Sequence, residues 1–294
     1  MLISCPIEAI DNRLGDRGAI EAIAKAGFGA YDMSLFRMKR EPDCGWNTAD
    51  YRTYAKELRR FADSLGIVCN QSHAPYPTSY GDERDAPIFD RTVRAIECAA
   101  LLGAKSVVVH PLHHLDYEVA ENRERMREMN LTFYEKLLPY ARGYGIAIAV
   151  ENMWQRTDGR CSHSTCSMPA EFCDYVDAHD DPYLVGCLDL GHVNLMPDSD
   201  LPAFIHALGA KRLRALHVHD NDGIRDAHTI PYLGCADIDG AMRALGQIGY
   251  EGDLTFECHG FLRPVPEELL PDALLMLRRV GEHLVSIIEQ EKMK

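Results

Sequence analysis

The sequence has no apolar run near the ~18 residues that a membrane-spanning helix needs. Its first ten residues carry Glu8 and no basic cluster, so a secretory leader is not expected. No stretch reads as a linker or a low-complexity tract. Ten cysteines are scattered without a Cys-x-x-Cys pair, which argues against a disulfide scaffold and for reduced thiols in the cytoplasm. Basic charge is in short supply: 31 Lys and Arg stand against 45 Asp and Glu, a formal charge of −14. Phosphate backbones are held by an excess of Lys and Arg, so a dominant nucleic-acid surface is not expected.

What is present is a core-forming composition, 46% hydrophobic and 26% charged over 294 residues, which excludes disorder as the main state. Short β-rich runs alternate with longer helical patterns. Strands are expected near Leu2–Cys5, Ala30–Ser34, Ile67–Ser72, Ser106–His110, Ala147–Glu151, Leu184–Asp189, Ala215–His219 and Leu254–Cys258. Helical patterns cover Asp50–Leu65, Ala86–Leu102, Asn122–Tyr144, Pro169–Ala178 and Glu267–Glu289. This alternation implies parallel pairing in an α/β fold. Two architectures fit: a single (β/α)8 barrel spanning 1–294, or an open doubly wound sheet. Polar residues close six consecutive strands, namely His73, His110, Glu151, Asp189, His219 and Glu257, at intervals of 37, 41, 38, 30 and 38 residues. One βα unit of a barrel has about that length, and a barrel gathers strand ends around one mouth. An open sheet would concentrate them at its switch point. The barrel is therefore the expected fold.

Side chains alternate along a strand. In Ala147–Glu151 the small residues share a face with Glu151, opposite Ile148 and Val150. Cys187 with Asp189, Ala215 with His217 and His219, and Thr255 with Glu257 repeat that phase. Glu151, Asp189, His219 and Glu257 should thus converge at the top of the barrel interior. Carboxylates buried together repel unless a cation sits among them, so a divalent metal is expected; oxygen and nitrogen donors suit Zn, Mn, Mg or Co. His73, His110, His192, Asp226 and His228 lie in strand-end loops. Either they hold a second or third ion or they serve substrate. His217 lies one layer deeper and reads as a packed core histidine. His113 and His114 read as solvated loop residues, and Cys161-Ser162-His163…Cys166 is spaced too poorly to be expected as a metal site. Trp154 and Phe36 could wall a pocket, and Arg156, Arg160 and Arg263 follow strand ends where a phosphate could be met.

From His73 to Glu257 these motifs resemble the xylose-isomerase-like TIM-barrel superfamily, which includes sugar isomerases and epimerases and the type IV apurinic endonucleases. The stretch His219-Asp220-Asn221-Asp222-Gly223, followed by Asp226-Ala227-His228 and Asp237-Ile238-Asp239, is similar to that of sugar phosphate isomerases/epimerases. The ketose 3-epimerase branch implies a metal on Glu151, Asp189, His219 and Glu257, with His192 near substrate. The endonuclease branch implies three zinc ions on those positions together with His73, His110, His192, Asp226 and His228. The loop after His219 departs from the Glu-x-Asn-Arg pattern of ketose 3-epimerases, and Arg225 is the residue that could substitute as a substrate contact.

The leading expectation is a metal-dependent sugar or sugar-phosphate isomerase/epimerase working through an enediolate. Glu151 and Glu257 would exchange the proton, and His192, Trp154 and Arg225 would contact substrate. The alternatives are a metal-dependent phosphodiester hydrolase resembling apurinic endonuclease and an inosose-dehydratase-like lyase. A non-catalytic sugar-binding barrel would not need the acid/base pair. The expected partner is a small sugar, with no nucleic acid and no membrane, in a cytoplasmic protein; the resemblance also implies a homo-oligomer.

Overall fold

In the computed structural model, which describes residues 1–78 and 80–294, the chain forms ten strands. They are β1 (Ile3–Pro6), β2 (Ala30–Ser34), β3 (Val68–His73), β4 (Ser106–Val108), β5 (Ala147–Glu151), β6 (Trp154–Thr157), β7 (Arg160–His163), β8 (Leu184–Asp189), β9 (Leu213–His217) and β10 (Leu254–Thr255). Eight of them pair in parallel in the order β10-β1-β2-β3-β4-β5-β8-β9. A bridge between Val218 and Phe256 joins the two ends. There Val218 N–H donates to Thr255 O at 2.9 Å and Glu257 N–H to Val218 O at 3.1 Å. The fold is a (β/α)8 barrel, as the strand-end spacing implies.

Helices cover the outside. Tyr51–Ser64, Asp85–Leu102, Ala120–Tyr144, Pro169–Asp177 and Leu270–Lys292 agree with the expected segments to within one to three residues. Helices Asp11–Lys25, Leu201–Arg212 and Ile238–Gln247 fill the remaining crossovers. Gly103 ends its helix with φ +89°, a left-handed cap that lets the chain turn directly into β4. All ten cysteines are free thiols, and among the described residues no helix is long and apolar enough to cross a membrane.

The expected alternation of faces holds. Ile148, Val150, Leu188, Leu216, Val218 and Phe256 belong to the main core between sheet and helices. Val108, Ala149, Val185, Cys187 and Ala215 form a separate small cluster inside the barrel. The opposite wall of the interior is polar: Ser4 Oγ donates to Asn70 Oδ1 at 2.7 Å, and Asn70 Nδ2 to Thr255 Oγ1 at 3.0 Å. Small side chains on one wall and a closed polar network on the other leave the C-terminal end of the barrel open for larger polar groups. Three strands end earlier than expected. β4 stops at Val108, β9 at His217 and β10 at Thr255, and the polar residues beyond them stand on the first turn of the mouth loops.

Candidate metal and active site

The deepest polar group joins four strand ends. Glu151, Asp189, His217 and Glu257 are buried, and each brings a ligand atom within 4.8 Å of the others. His217 Nδ1 stands 3.0 Å from Glu151 Oε1, 3.5 Å from Glu257 Oε2 and 3.9 Å from Asp189 Oδ2. Beside it, His73 Nε2 and His110 Nε2 lie 3.4 and 2.9 Å from Glu151 Oε2. A second group is built from the loops after β8 and β9: His192, His219, Asp226 and His228 also come within 4.8 Å of one another. Asp226 Oδ2 is 3.0 Å from His228 Nε2 and 3.5 Å from His192 Nε2. His219 Nε2, 3.0 Å from Asp189 Oδ1, links the two groups.

Local sequence explains the placement. Asp189 ends β8 and caps the next turn, accepting His192 N–H on Oδ1 at 2.7 Å. Gly191 is required there, because a Cβ would stand 1.9 Å from His219 Cε1. Asp220, next to His219, gathers the following loop on its carboxylate. Asn221 and Ala236 N–H donate to Oδ1 at 2.8 and 3.0 Å, and Tyr232 and Gly234 N–H donate to Oδ2 at 3.0 Å each. That loop carries Asp226 and His228, the latter at φ +44°, a strained conformation for a residue with a side chain.

Two observations fit a cation. First, His73, His192 and His228 each donate Nδ1–H to a backbone carbonyl: Ala74 O at 2.9 Å, Asn152 O at 2.8 Å and Glu257 O at 3.0 Å. Those bonds fix the tautomer and turn each Nε2 lone pair inward, as metal-ligating imidazoles require. Second, the buried oxygens Glu151 Oε2, Glu257 Oε2 and Asp226 Oδ1 accept no hydrogen bond, although imidazole nitrogens lie close to the two glutamates. Lone pairs converging without aligned N–H donors are what a divalent ion satisfies.

Without the ion, protons do that work. Burial opposes ionisation of Glu151 and Glu257, but His217 with His110, and His217 with His228, outweigh it and hold both carboxyls well below 4.5. Burial likewise opposes charge on His192, yet Asp189 and Asp226 overcome it and raise the imidazole to about 10. His217 and His228 are raised in the same sense against their burial, His217 by the Cys187 thiol with the Glu257 and Glu151 carboxylates and His228 by Glu257 and Asp226. His110 goes the other way, lowered by burial.

Both groups open into a cavity of about 550 Å³ at the barrel mouth. Of the residues expected from sequence, Glu151, Asp189 and Glu257 share one group, and His192, Asp226 and His228 another. His219 joins the second group, while His217, expected as a core histidine, takes its place in the first. Both face inward, and the register that sets His217 opposite Asp189 brings the deeper ring to the carboxylates. Trp154 and Phe36 line the cavity; Trp154 Nε1 donates to Asp226 Oδ2 at 3.2 Å, and Phe36 meets His73 edge-on at 4.7 Å. Arg225 does not reach it: it lies exposed, paired with Asp222 at 2.8 Å. Arg156 and Arg160 are exposed on the β6–β7 hairpin, whereas Arg263 lines the mouth. His114 is exposed as expected, but His113 lines the cavity and burial lowers it to about 4. Cys161, His163 and Cys166 are not gathered into a ligand group among the described residues.

Residues not singled out from sequence also stand here: Glu8, Arg40, Tyr76 and His259 line the mouth. Asp32 lies behind the inner group, its Oδ2 3.8 Å from His217 Nε2. Glu8 and Asp32 follow or lie in β1 and β2, so the strand-end rule would have found them had it been carried to those strands. The antiparallel hairpin β6–β7 was announced by Asp158-Gly159, both at positive φ.

A family model described as xylose isomerase-like TIM barrel matches residues 20–280. A D-tagatose 3-epimerase-like protein superposes with a TM-score of 0.76 at 20% identity, over 99% of each chain. The apo 3-keto-D-glucoside 4-epimerase of E. coli superposes with a TM-score of 0.73 at 17% identity, over 95% of this chain and 99% of that one. The IOLI protein with a bound zinc atom gives a TM-score of 0.74 at 18% identity, over 99% of each chain. Among curated relatives, an uncharacterised protein of Sinorhizobium fredii is 26% identical over 164 residues, 55% of this chain and 50% of its own length. One of Methanocaldococcus jannaschii is 28% identical over 212 residues, 69% of this chain and 68% of its own. The chain therefore spans half the length of the first of these relatives, and the structural likenesses carry the fold. By the extent of the family match, the chain belongs to the xylose isomerase-like TIM-barrel family.

Proposed function

We propose that the chain is a divalent-metal-dependent isomerase or epimerase of a small sugar or sugar phosphate. The reading rests on one observation: Glu151 and Glu257 flank His217 Nδ1 at 3.0 and 3.5 Å on the floor of the mouth cavity. Glu151, Asp189, His217 and Glu257 would hold the ion, which when bound would polarise adjacent carbonyl and hydroxyl oxygens and so acidify the neighbouring C–H. Glu151 and Glu257, both kept ionised by their histidine neighbours, are the proton acceptors. They approach from β5 and from the segment after β10, so one carboxylate can remove a proton from carbon while the other, once it has taken a proton from water at the cavity mouth, returns one on the opposite face; the first then gives its proton back to water. His192, fixed by its bond to Asn152 O, orients a substrate hydroxyl. Phe36 and Trp154 wall the site against water. Two structural neighbours are named as sugar epimerases or epimerase-like and a third holds zinc, which supports this choice of substrate and cofactor.

A panel of ketopentoses and ketohexoses in deuterated water tests the reading. Deuterium should enter at the carbon beside the carbonyl as the isomer forms. Exchange with none of the panel, free or phosphorylated, would contradict it.

One observation favours a second reading. The His192, His219, Asp226 and His228 group adjoins the first through Asp189, and two neighbouring ions are the usual apparatus of phosphodiester hydrolysis. Incision of a duplex containing an abasic site would put the hydrolase first. The charge of −14 weighs against it.

A further inference from the structure

The mouth cavity has a cationic side that neither metal-binding group explains. Arg40 and Arg263 both line it. Arg40 ends the short helix Arg37–Arg40, with its guanidinium 5.4 Å from the centre of the Phe36 ring, and Phe36 in turn meets His73 at 4.7 Å. Arg263 follows the short helix His259–Leu262, and the His259 ring lies 4.0 Å from that of His228. The two guanidiniums thus reach the cavity from the segments after β2 and β10, the two strands that flank β1 in the sheet. Between them stands one buried carboxylate, Glu8, whose Oε1 is 3.5 Å from Arg40 Nη2 and 3.8 Å from Arg263 Nη2. Neither separation is a close hydrogen bond, and both arginine side chains remain about half exposed, 46% and 63%. On this side of the cavity two guanidiniums against one carboxylate leave a positive charge in surplus.

A neutral sugar needs no such surplus, since its hydroxyls are met by neutral donors and acceptors. A planar guanidinium fork is matched to a phosphate or carboxylate. We propose that Arg40 and Arg263 form an anion subsite, and that the substrate is a sugar bearing a terminal anionic group, a phosphate or a carboxylate. The inference rests on the sugar isomerase/epimerase reading and narrows it: the reacting carbons lie over Glu151 and Glu257, and the charged end points toward Arg40 and Arg263.

Equilibrium binding tests the subsite without turnover. Glucitol, glucitol 6-phosphate and gluconate, none of which offers a keto group to isomerise, are titrated calorimetrically into the metal-loaded protein. At least one anionic polyol should bind about ten-fold or more tightly than glucitol; which one does identifies phosphate or carboxylate. The Arg40→Gln/Arg263→Gln double variant should abolish most of that preference. Glu8→Gln removes the competing carboxylate and should tighten anion binding by about three-fold or more, which also keeps the test informative where the double variant does not fold. Equal affinity for all three polyols, an anion preference that survives the double variant, or weaker anion binding in Glu8→Gln would each overturn the proposal. An anion preference lost on arginine substitution, together with no deuterium exchange into any keto sugar, would uphold the subsite and reject the isomerase/epimerase reading.

Discussion

The two histidine–carboxylate groups at the barrel mouth are made of the same residue types but built differently. The inner group takes Glu151, Asp189 and His217 from within strands and Glu257 from two residues beyond β10. The first three are held by parallel ladders and Glu257 by its N–H bond to Val218 O. The outer group takes His192 from a one-turn helix and Asp226 and His228 from a loop that is gathered on Asp220 and touched by the β6–β7 hairpin through Trp154. Ladder-held ligands keep their geometry whether or not an ion is present. Loop-held ligands depend on a chain of backbone hydrogen bonds. The inner group is therefore the place for chemistry that needs fixed distances, and the outer group is where binding can be adjusted.

The largest effect should come from breaking the inner group's acid/base pair. Glu151→Gln and Glu257→Gln should each lower turnover by about 10²–10⁴-fold, with the far-ultraviolet circular dichroism unchanged. Near-normal turnover in either would remove the proton-transfer role and with it the distinction between the groups.

A smaller effect should follow metal removal, and its pH dependence has a defined sign. An imidazole raised from 6.5 to about 10, as in His192, stabilises the metal-free fold fully below pH 6.5 and loses that contribution as pH climbs toward 10. Carboxyls held below 4.5, as in Glu151 and Glu257, contribute above that pH and lose it as pH falls. The denaturation midpoint of the chelated protein should therefore be highest between 4.5 and 6.5. Loading the metal should flatten the alkaline fall, because the cation replaces the protons. A chelated midpoint that rises from about pH 7 to about 9 would contradict the account.

The smallest effect is expected outside both groups. Arg225 is exposed and paired only with Asp222, so Arg225→Ala should change kcat/KM by less than about two-fold. A larger loss would bring the loop after His219 into the site.

How much of this was legible in the sequence follows from the same contrast. The barrel and the inward phase of Glu151, Asp189 and Glu257 were readable because a strand turns alternate residues to one face. The exchange of His217 for His219 was not. Both face inward, two residues and ~7 Å apart along the strand, and which one meets the carboxylates depends on how far each strand climbs around the ring. The register shift between β8 and β9 at Gly186/Cys187 contributes to that stagger, and no local pattern encodes it. Arg40 and His259 were illegible for a related reason. They reach the mouth from segments distant in sequence and meet only once the ring closes between Val218 and Phe256.

Glu151, Asp189, His217 and Glu257 are the residues proposed to hold the ion that the reaction uses. Elemental analysis of the purified chain, of His217→Ala and of His219→Ala, after the same mild dialysis, tests that assignment most directly. The ion should be retained by the parent and by His219→Ala and lost from His217→Ala. An ion kept by His217→Ala and lost from His219→Ala would contradict it.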